Sequence, residues 1–323
     1  MATESLRANS KSKERHPMSR NKQRTLSFYL FASPWIIGFI LLGIFPLLVG
    51  LLVSFSNYDG LNIDVVKLVG LRNYTRILTD SDVPFSAGRT LLWVMVNLPT
   101  WMVLSFLLAI ILNQDIKGRG MFRTLYYIPS VIPGVASVAA WGVLLDKNYG
   151  LLNAFISLFR PGTAIGWMSD YALVGMALIA VWGGLGSGML IFLAGLQDIP
   201  DELVEAAKID GANSFQVFRY VTLPLMTPVI FFQLVMGVIG CFQQLNLPLL
   251  VSKLATNTTS TPPRQVYLYM IHVWQQIYTN QRYYYGNALM WLLFIVVIAL
   301  TVLIFWSSKF WVYQAGGPEG DSK

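Results

Sequence analysis

Charged residues are scarce in this 323-residue chain, at 12% against 55% apolar residues. Six runs contain no Asp, Glu, Lys or Arg, and each exceeds the roughly 20 residues that a helix needs to cross the hydrocarbon core. This scarcity excludes an ordinary soluble domain and predicts an all-α, polytopic membrane protein with six transmembrane helices. The runs are 25–58, 90–114, 124–145, 171–197, 220–252 and 283–308.

Cysteine and histidine are also nearly absent, with one Cys and two His in the chain. Cys241 alone excludes an intrachain disulfide. No His-Glu-x-x-His motif and no pair of membrane aspartates occurs, so an intramembrane enzyme finds no support and neither a metal site nor a cofactor is expected. His16 lies in the basic tail, and His272 is expected to be a solvated or packing residue.

Nothing in the sequence can supply energy for transport. A Gly-x-x-x-x-Gly-Lys-Ser/Thr loop is missing, so the chain has no cradle for the phosphates of ATP. The apolar runs lack the ionisable groups that ion-coupled secondary carriers place within the bilayer. We therefore predict that the chain is not itself an enzyme and that its energy comes from another subunit.

The basic residues predict an orientation rather than a nucleic-acid partner, although the net charge is +7. Seven Lys and Arg residues precede Thr25, and the loop 113–123 adds Lys117, Arg119 and Arg123. The positive-inside rule places both segments in the cytoplasm. With six spans, the C-terminus and the 196–223 loop then face the cytoplasm as well.

This topology divides the chain into five parts. We predict a basic N-terminal tail (1–24), a first transmembrane helix (25–58) kinked at Pro34 and Pro46, an external segment (59–84), a core (85–313) and a C-terminal tail (314–323). Within the core, residues 146–170 and 253–282 form two more external segments.

The polar segment 198–224 has helical signals of its own. Asp198 is expected to cap a helix whose first turn holds Pro200, Asp201 and Glu202, since these residue types suit exposed N–H groups and a positive dipole end. Its Leu203, Ala206 and Ala207 share a face, and Gly211 sits where a left-handed residue would end it. Asn213 or Ser214 can cap a second short helix, so the segment predicts a helix–turn–helix.

The sequence Glu205-Ala206-Ala207-x-x-Asp210-Gly211-Ala212, followed by Leu223-Pro224, resembles the coupling loop of ABC-transporter permeases. It is most similar to the maltose-type sugar permeases. The resemblance implies a type I ABC importer permease fold, with a peripheral first helix and a coupling loop at 198–224 that docks on a separate ATPase. The coupling residues that it implies are Glu205, Ala206, Ala207, Asp210, Gly211, Leu223 and Pro224.

The resemblance also implies an assembly in a bacterial or archaeal inner membrane. The expected partners are a second permease subunit, two ATP-binding subunits and an extracytoplasmic solute-binding protein. A self-sufficient channel, by contrast, would not need the 198–224 segment.

Candidate pathway residues come from the fourth, fifth and sixth spans. Gln233, Gly237, Gly240 and Gln244 align on one helical face, which suits either helix packing or a water-filled path. Gly184 and Gly188 form a small-xxx-small pair, for which helix packing is the expectation. Tyr285-Gly286-x-Ala288 resembles a recurrent family element, which makes Asn287 and Trp291 candidates as well. The candidates are Trp182, Gln233, Gln243, Gln244, Asn246, Tyr285, Asn287 and Trp291.

Neutral amides and aromatic rings suit a polyhydroxylated neutral cargo, so a sugar or oligosaccharide is the predicted cargo. A permease for glycerol phosphate, a polyol or a uronic-acid oligomer stays open as an alternative, and an ion-coupled secondary carrier is a more distant one.

Overall fold

The computed structural model describes residues 20–61, 63–64, 66–256 and 262–313. These ranges are almost wholly helical, and they contain no β-strand beyond an isolated bridge between Ser56 and Leu68. Residues 1–19 of the predicted tail 1–24, and the predicted tail 314–323, lie outside the described residues, while residues 20–24 begin the first helix. The helices are α1 (Arg20–Phe39), α2 (Phe45–Ser54), α3 (Arg72–Thr79), α4 (Asp82–Asn113), α5 (Arg119–Val131), α6 (Gly134–Leu144), α7 (Leu151–Ser157), α8 (Ala172–Gln197), α9 (Asp201–Ile209), α10 (Ser214–Val217), α11 (Leu223–Phe242), α12 (Asn246–Thr256), α13 (Tyr269–Trp274) and α14 (Tyr283–Ser308).

The chain forms two compact units, Met1–Leu52 and Val53–Lys323. The first consists mainly of α1 and the start of α2, joined without a break by a π-helical turn at Ile40–Ile44. In that turn the Phe45 N–H donates to Ile40 O. The wider turn comes just before Pro46, whose missing N–H interrupts the regular ladder. The predicted break at Pro46 is therefore a π-helical turn within a continuous helix.

Five segments are long and apolar enough to cross a membrane as single helices: Ser27–Ser54, Asp82–Asn113, Ala172–Gln197, Ser214–Phe242 and Tyr283–Ser308. The predicted span at 124–145 is instead broken, because α5 and α6 meet at an angle of 100°. Counted as one span, this bent pair completes the six spans that the sequence predicts. Pro133 forces the preceding Ile132 into an extended conformation (φ −70°, ψ 129°), which ends α5 before α6 can begin.

Helices α4 and α8 run parallel in the centre of the second unit. A Cβ added to Gly184 would lie 3.0 Å from Trp101 Nε1, and one added to Gly188 would lie 2.7 Å from Ser105 Oγ. Both helices therefore run towards the same end of the bundle, called here the Gln197 end, and away from the Ala172 end. The expected packing role of Gly184 and Gly188 is confirmed.

Helix α5 begins at the Gln197 end, since only a short connection separates it from the end of α4. It then rises antiparallel to α8 and meets it at Gly186. A Cβ on Gly186 would lie 2.3 Å from Tyr126 O and 2.6 Å from Tyr127 Cα, so the two backbones touch where no side chain intervenes. Such small-residue contacts are the usual way in which transmembrane helices approach closely.

We expect Gly186→Ala to destabilise the protein, because the added methyl group overlaps the α5 backbone and overpacking typically costs about 1–3 kcal/mol. Gly183→Ala, on the same helix, is the matched control, since nothing lies within 4 Å of its Cβ. Thermal unfolding of the purified variants checks this. Equal melting temperatures for the two variants would contradict it.

A buried polar cluster joins the α3–α4 corner to α13 and α14. His272 is fully buried, with Nδ1 2.9 Å from the Tyr267 hydroxyl and Nε2 3.4 Å from Asp80 Oδ2. The Tyr285 hydroxyl donates to the same Asp80 oxygen at 2.7 Å. Of the two expectations for His272, the packing residue is therefore correct.

Burial disfavours charge on this imidazole. Burial lowers the pKa of His272, while Asp80 and Asp82 pull that pKa upward without restoring it. Burial alone would raise the pKa of Asp80. Hydrogen bonds from Tyr285 and the backbone of Asp82, together with His272, outweigh burial and hold that pKa below its ordinary value.

The free energy of unfolding should therefore fall as the pH drops below about 6.5, the ordinary pKa of histidine. In that range the unfolded chain binds a proton at His272 that the native protein does not, whereas Asp80 stays ionised in both states. Melting temperatures between pH 7.5 and 5 should fall more steeply for the wild type than for His272→Gln. Parallel curves would show that another group controls the acid sensitivity.

Candidate functional site

A cavity of about 440 Å³ lies between the middle of α4, the α5–α6 bend, the middle of α8 and the α11–α12 junction. Gly183 and Gly184 of α8 and Asn97 and Trp101 of α4 lie near the centres of their helices, so the cavity is at mid-depth in the bundle. Non-helical backbone at such depth is tolerated where it is covered by protein or lines a cavity. Both breaks, at 132–133 and 243–245, meet this condition.

Two of the predicted pathway amides, Gln244 and Asn246, line this cavity together with Gly237 and Gly240. They do so because α11 ends at Phe242 and α12 begins only at Asn246, although the apolar run is continuous in sequence. The break places both amides at the cavity, where Gln244 is half-buried and Asn246 is exposed, rather than continuing the helical face of α11.

Three other candidates lie away from the cavity lining. Gln233 is 2% exposed, and its Nε2 is 3.4 Å from Gly188 O, which is the interhelical bridge that the packing alternative describes. Trp182 contacts Trp141 edge to face, with ring centroids 5.8 Å apart. Gln243 is exposed on the outer side of the α11 end.

The three candidates in α14 are also outside the cavity lining. Tyr285 is fully buried in the Asp80–His272 cluster. The Asn287 side chain donates to Tyr283 O of its own helix at 2.9 Å, and Trp291 packs on Phe294 with centroids 5.2 Å apart. In this structure, the stretch that the resemblance singled out forms the packed start of α14.

Sequence reasoning missed the contribution of α4. Asn97 lines the cavity, donates from Nδ2 to Cys241 Sγ at 3.6 Å, and has a buried Oδ1 for which the described residues provide no hydrogen-bond partner. Trp101 also lines it, with its indole N–H donating to Gly184 O at 2.8 Å. The available signal was an amide well inside a charge-free run, which is costly in lipid.

The 198–224 segment forms two short helices. Helix α9 starts after Pro200 without a side-chain cap, so the predicted cap by Asp198 is wrong. The Asp198 N–H instead donates to Ala194 O and ends α8. Gly211 has φ +84°, as predicted. Of the two predicted caps, Asn213 is the one that caps α10, and it does so in a reciprocal capping box with Gln216.

This pair of helices presents both polar and apolar side chains to the outside. Glu205, Ala206, Asp210 and Gly211 are exposed, and Ala207 is half-buried. Large apolar residues stand out beside them: Ile209 is 86% exposed, Phe215 71% and Tyr220 74%. Exposed apolar groups clustered on a polar segment are typical of a protein-binding surface.

The segment continues directly into a membrane helix. A π-helical turn at Phe218–Thr222 follows α10, and Leu223 and Pro224 form the first turn of α11. Helix α10, the π-helical turn and α11 thus form one continuous helical rod. The cavity residues Gly237 and Gly240 lie on the same rod.

Comparison with known proteins agrees with this architecture. Residues 90–311 match the family model of the binding-protein-dependent transport system inner membrane component. The chain is 34% identical over 301 residues to the probable ABC transporter permease protein YesP of Bacillus subtilis, covering 92% of this chain and 95% of that protein. It is 32% identical over 269 residues to the multiple sugar-binding transport system permease protein MsmF of Streptococcus mutans, covering 80% and 87%.

The fold also matches a solved structure, a bacterial alginate ABC transporter in complex with an alginate pentasaccharide-bound periplasmic protein. The TM-score is 0.74 at 18% identity, covering 91% of this chain and 98% of that one, which is evidence for the fold alone. The chain matches the family model over more than half of its length and YesP over 92%. It therefore belongs to the family of inner-membrane components of binding-protein-dependent transport systems, as an ABC transporter permease subunit.

Proposed function

We propose that this permease imports a neutral sugar or oligosaccharide and that the cavity at mid-depth is its part of the translocation pathway. The observation that carries the proposal is the cavity lining. Asn97, Gln244 and Asn246 provide amides, Trp101 provides an aromatic ring, and no charged side chain occurs among the described residues that line the cavity. Sugar hydroxyls pair with amides, and sugar rings lie on aromatic faces.

The absence of a cation among the described residues of this lining separates the proposal from its negatively charged alternatives. A glycerol phosphate or a uronic-acid oligomer would bring a negative charge into a low-dielectric space, which is costly without a partner. The MsmF relative is a permease protein of a multiple sugar-binding transport system, which supports a neutral saccharide.

We further propose that the 198–224 segment couples the permease to a separate ATP-hydrolysing subunit. The small side chains of Ala206 and Ala207 permit close approach, and Gly211 allows the tight turn between α9 and α10. Glu205 and Asp210 offer exposed carboxylates for polar contacts, while Leu223 and Pro224 transmit motion into α11.

The proposed assembly has four other subunits: a second permease, two ATP-binding subunits and an extracytoplasmic solute-binding protein. In it, both chain termini and the 198–224 segment face the cytoplasm. The basic residues support this orientation, because Lys117, Arg119 and Arg123 lie at the Gln197 end, where α8 runs into the 198–224 segment.

Replacement of Gln244 or Asn246 by Leu should lower uptake about tenfold. The reason is that one lost hydrogen bond to the cargo costs roughly 1–1.5 kcal/mol, and about 1.4 kcal/mol corresponds to a factor of ten. Gln243→Leu is the matched control, because this neighbouring amide does not line the cavity. Uptake is measured in reconstituted vesicles with the cargo that the cognate solute-binding protein retains. Unaltered uptake in both cavity variants would remove these residues from the pathway.

Charged replacements at the coupling segment, Ala207→Glu or Gly211→Glu, should abolish association with the ATPase subunit while leaving membrane insertion intact. Gly211→Asn separates the contact from backbone strain, since asparagine tolerates the left-handed conformation. Gly162→Glu is a control at another exposed glycine with positive φ and nothing within 4 Å. Co-purification and ATPase activity are the measurements. Unchanged ATPase stoichiometry and activity in both Glu variants would refute the coupling role.

A further inference from the structure

Helix α7, in the 146–170 segment, exposes a row of large apolar side chains. Leu151 is 67% exposed, Phe155 60%, Leu158 76% and Phe159 79%. Their spacing places them on one helical face, which the chain continues for a turn beyond Ser157 through hydrogen bonds from Phe159 N and Arg160 N to Ile156 O. Phe155 and Phe159 pack edge to face, with centroids 5.5 Å apart.

The opposite face of α7 is firmly attached to its own loop. Asn153 is 4% exposed, and its Nδ2 donates to Ile165 O at 2.9 Å and to Lys147 O at 3.1 Å. Its Oδ1 accepts from the Trp167 indole N–H at 2.8 Å. The Ser157 hydroxyl donates to Asn153 O. The loop therefore holds α7 in one orientation, with the apolar face outward.

The depth of this segment follows from the contact between Gly186 and Tyr126. Ala172 begins α8 about 21 Å above that contact, whereas α5 ends at Val131 only about 8 Å above it. Because α6 then turns by 100°, it gains little further height. The chain therefore enters the 146–170 segment well below the level of Ala172, the first residue of the apolar helix α8.

We propose that α7 is an amphipathic anchor whose apolar face inserts into the lipid leaflet at the Ala172 end, the outer leaflet in the orientation proposed above. The exposed Arg160 follows Phe159 directly, and Lys147 pairs with Asp170 at 3.9 Å beside the helix. Such cations reach the polar headgroups while apolar neighbours enter the acyl region. Residues 146–170 thus lie on the membrane instead of projecting into water.

This anchor bears on transport through α6. Helix α7 follows α6 after a short turn that Asn153 closes by donating to Asp146 O and Lys147 O. Gly134 and Ser137 of α6 line the cavity. A helix held at constant depth by lipid therefore steadies one wall of the cavity while α11 moves.

Site-directed spin labelling tests the anchor, because Cys241 is the only cysteine in the chain. In a full-length Cys241→Ser background, nitroxide labels are placed at Phe155→Cys and Phe159→Cys and reconstituted with the co-expressed partner subunits. The vesicles contain phosphatidylethanolamine and phosphatidylglycerol. Lys67→Cys, exposed in the separate external segment 59–84, is the water reference, and Val302→Cys, exposed on the apolar α14, is the lipid reference.

Labels at both α7 positions should collide with oxygen several-fold more, and with a water-soluble nickel chelate several-fold less, than the label at Lys67→Cys. Chelate collisions equal to those at Lys67→Cys would place α7 in water and overturn the proposal. Low collision rates with both reagents would mean that a protein partner covers the face, which also overturns it. Leu151→Cys repeats the measurement independently if a Phe variant fails to insert.

Discussion

The contact between α5 and α8 at Gly186 is the constraint from which the rest of the second unit follows. It brings the two backbones together at the level of Tyr126, so that α5 packs along α8 up to its end before Pro133. The break at Ile132 and Pro133 then lies against the middle of α8 rather than against lipid. An unsatisfied backbone at that depth would cost several kcal/mol in hydrocarbon. The same break forms one wall of the cavity.

Two interrupted helices therefore face each other at mid-depth. The α5–α6 bend contributes Ser130 and Ser137, and the α11–α12 junction contributes Gln244 and Asn246. Between them, α4 and α8 stay continuous and parallel, joined by the hydrogen bond from Trp101 to Gly184 O. The arrangement combines a rigid central pair with irregular backbone on either side, which is where polar groups are available to a solute. The 198–224 segment continues into α11, which lies on one of these irregular sides.

The architecture was predictable to a large extent because each span is a long run without charged residues. The helix–turn–helix of the 198–224 segment was equally predictable, since the turn at Gly211 and the cap formed by Asn213 and Gln216 depend only on residues close to each other in the sequence. The cap predicted at Asp198 is wrong because Pro200 shifts the start of α9. The bend within the predicted span 124–145 arises because Pro133 acts on its neighbour. Both features concern where a helix begins or ends, which competing local signals decide. The roles of the coupling residues stay predictions.

The sequence by itself determined that this chain is an all-helical membrane protein with a polar helix–turn–helix between two apolar runs, and that it has no phosphate-binding loop for ATP. Hydrophobic length, turn chemistry and such motifs are local properties of the sequence. Only the tertiary structure decided which amides meet at a cavity. Gln233 and Gln244 share one helical period, yet the first bridges to Gly188 and the second lines the cavity, because a helix face acquires its meaning from the neighbour that it contacts. Asn97 and Trp101 joined them through packing between α4 and α8, a contact between residues more than 80 positions apart that no local pattern encodes.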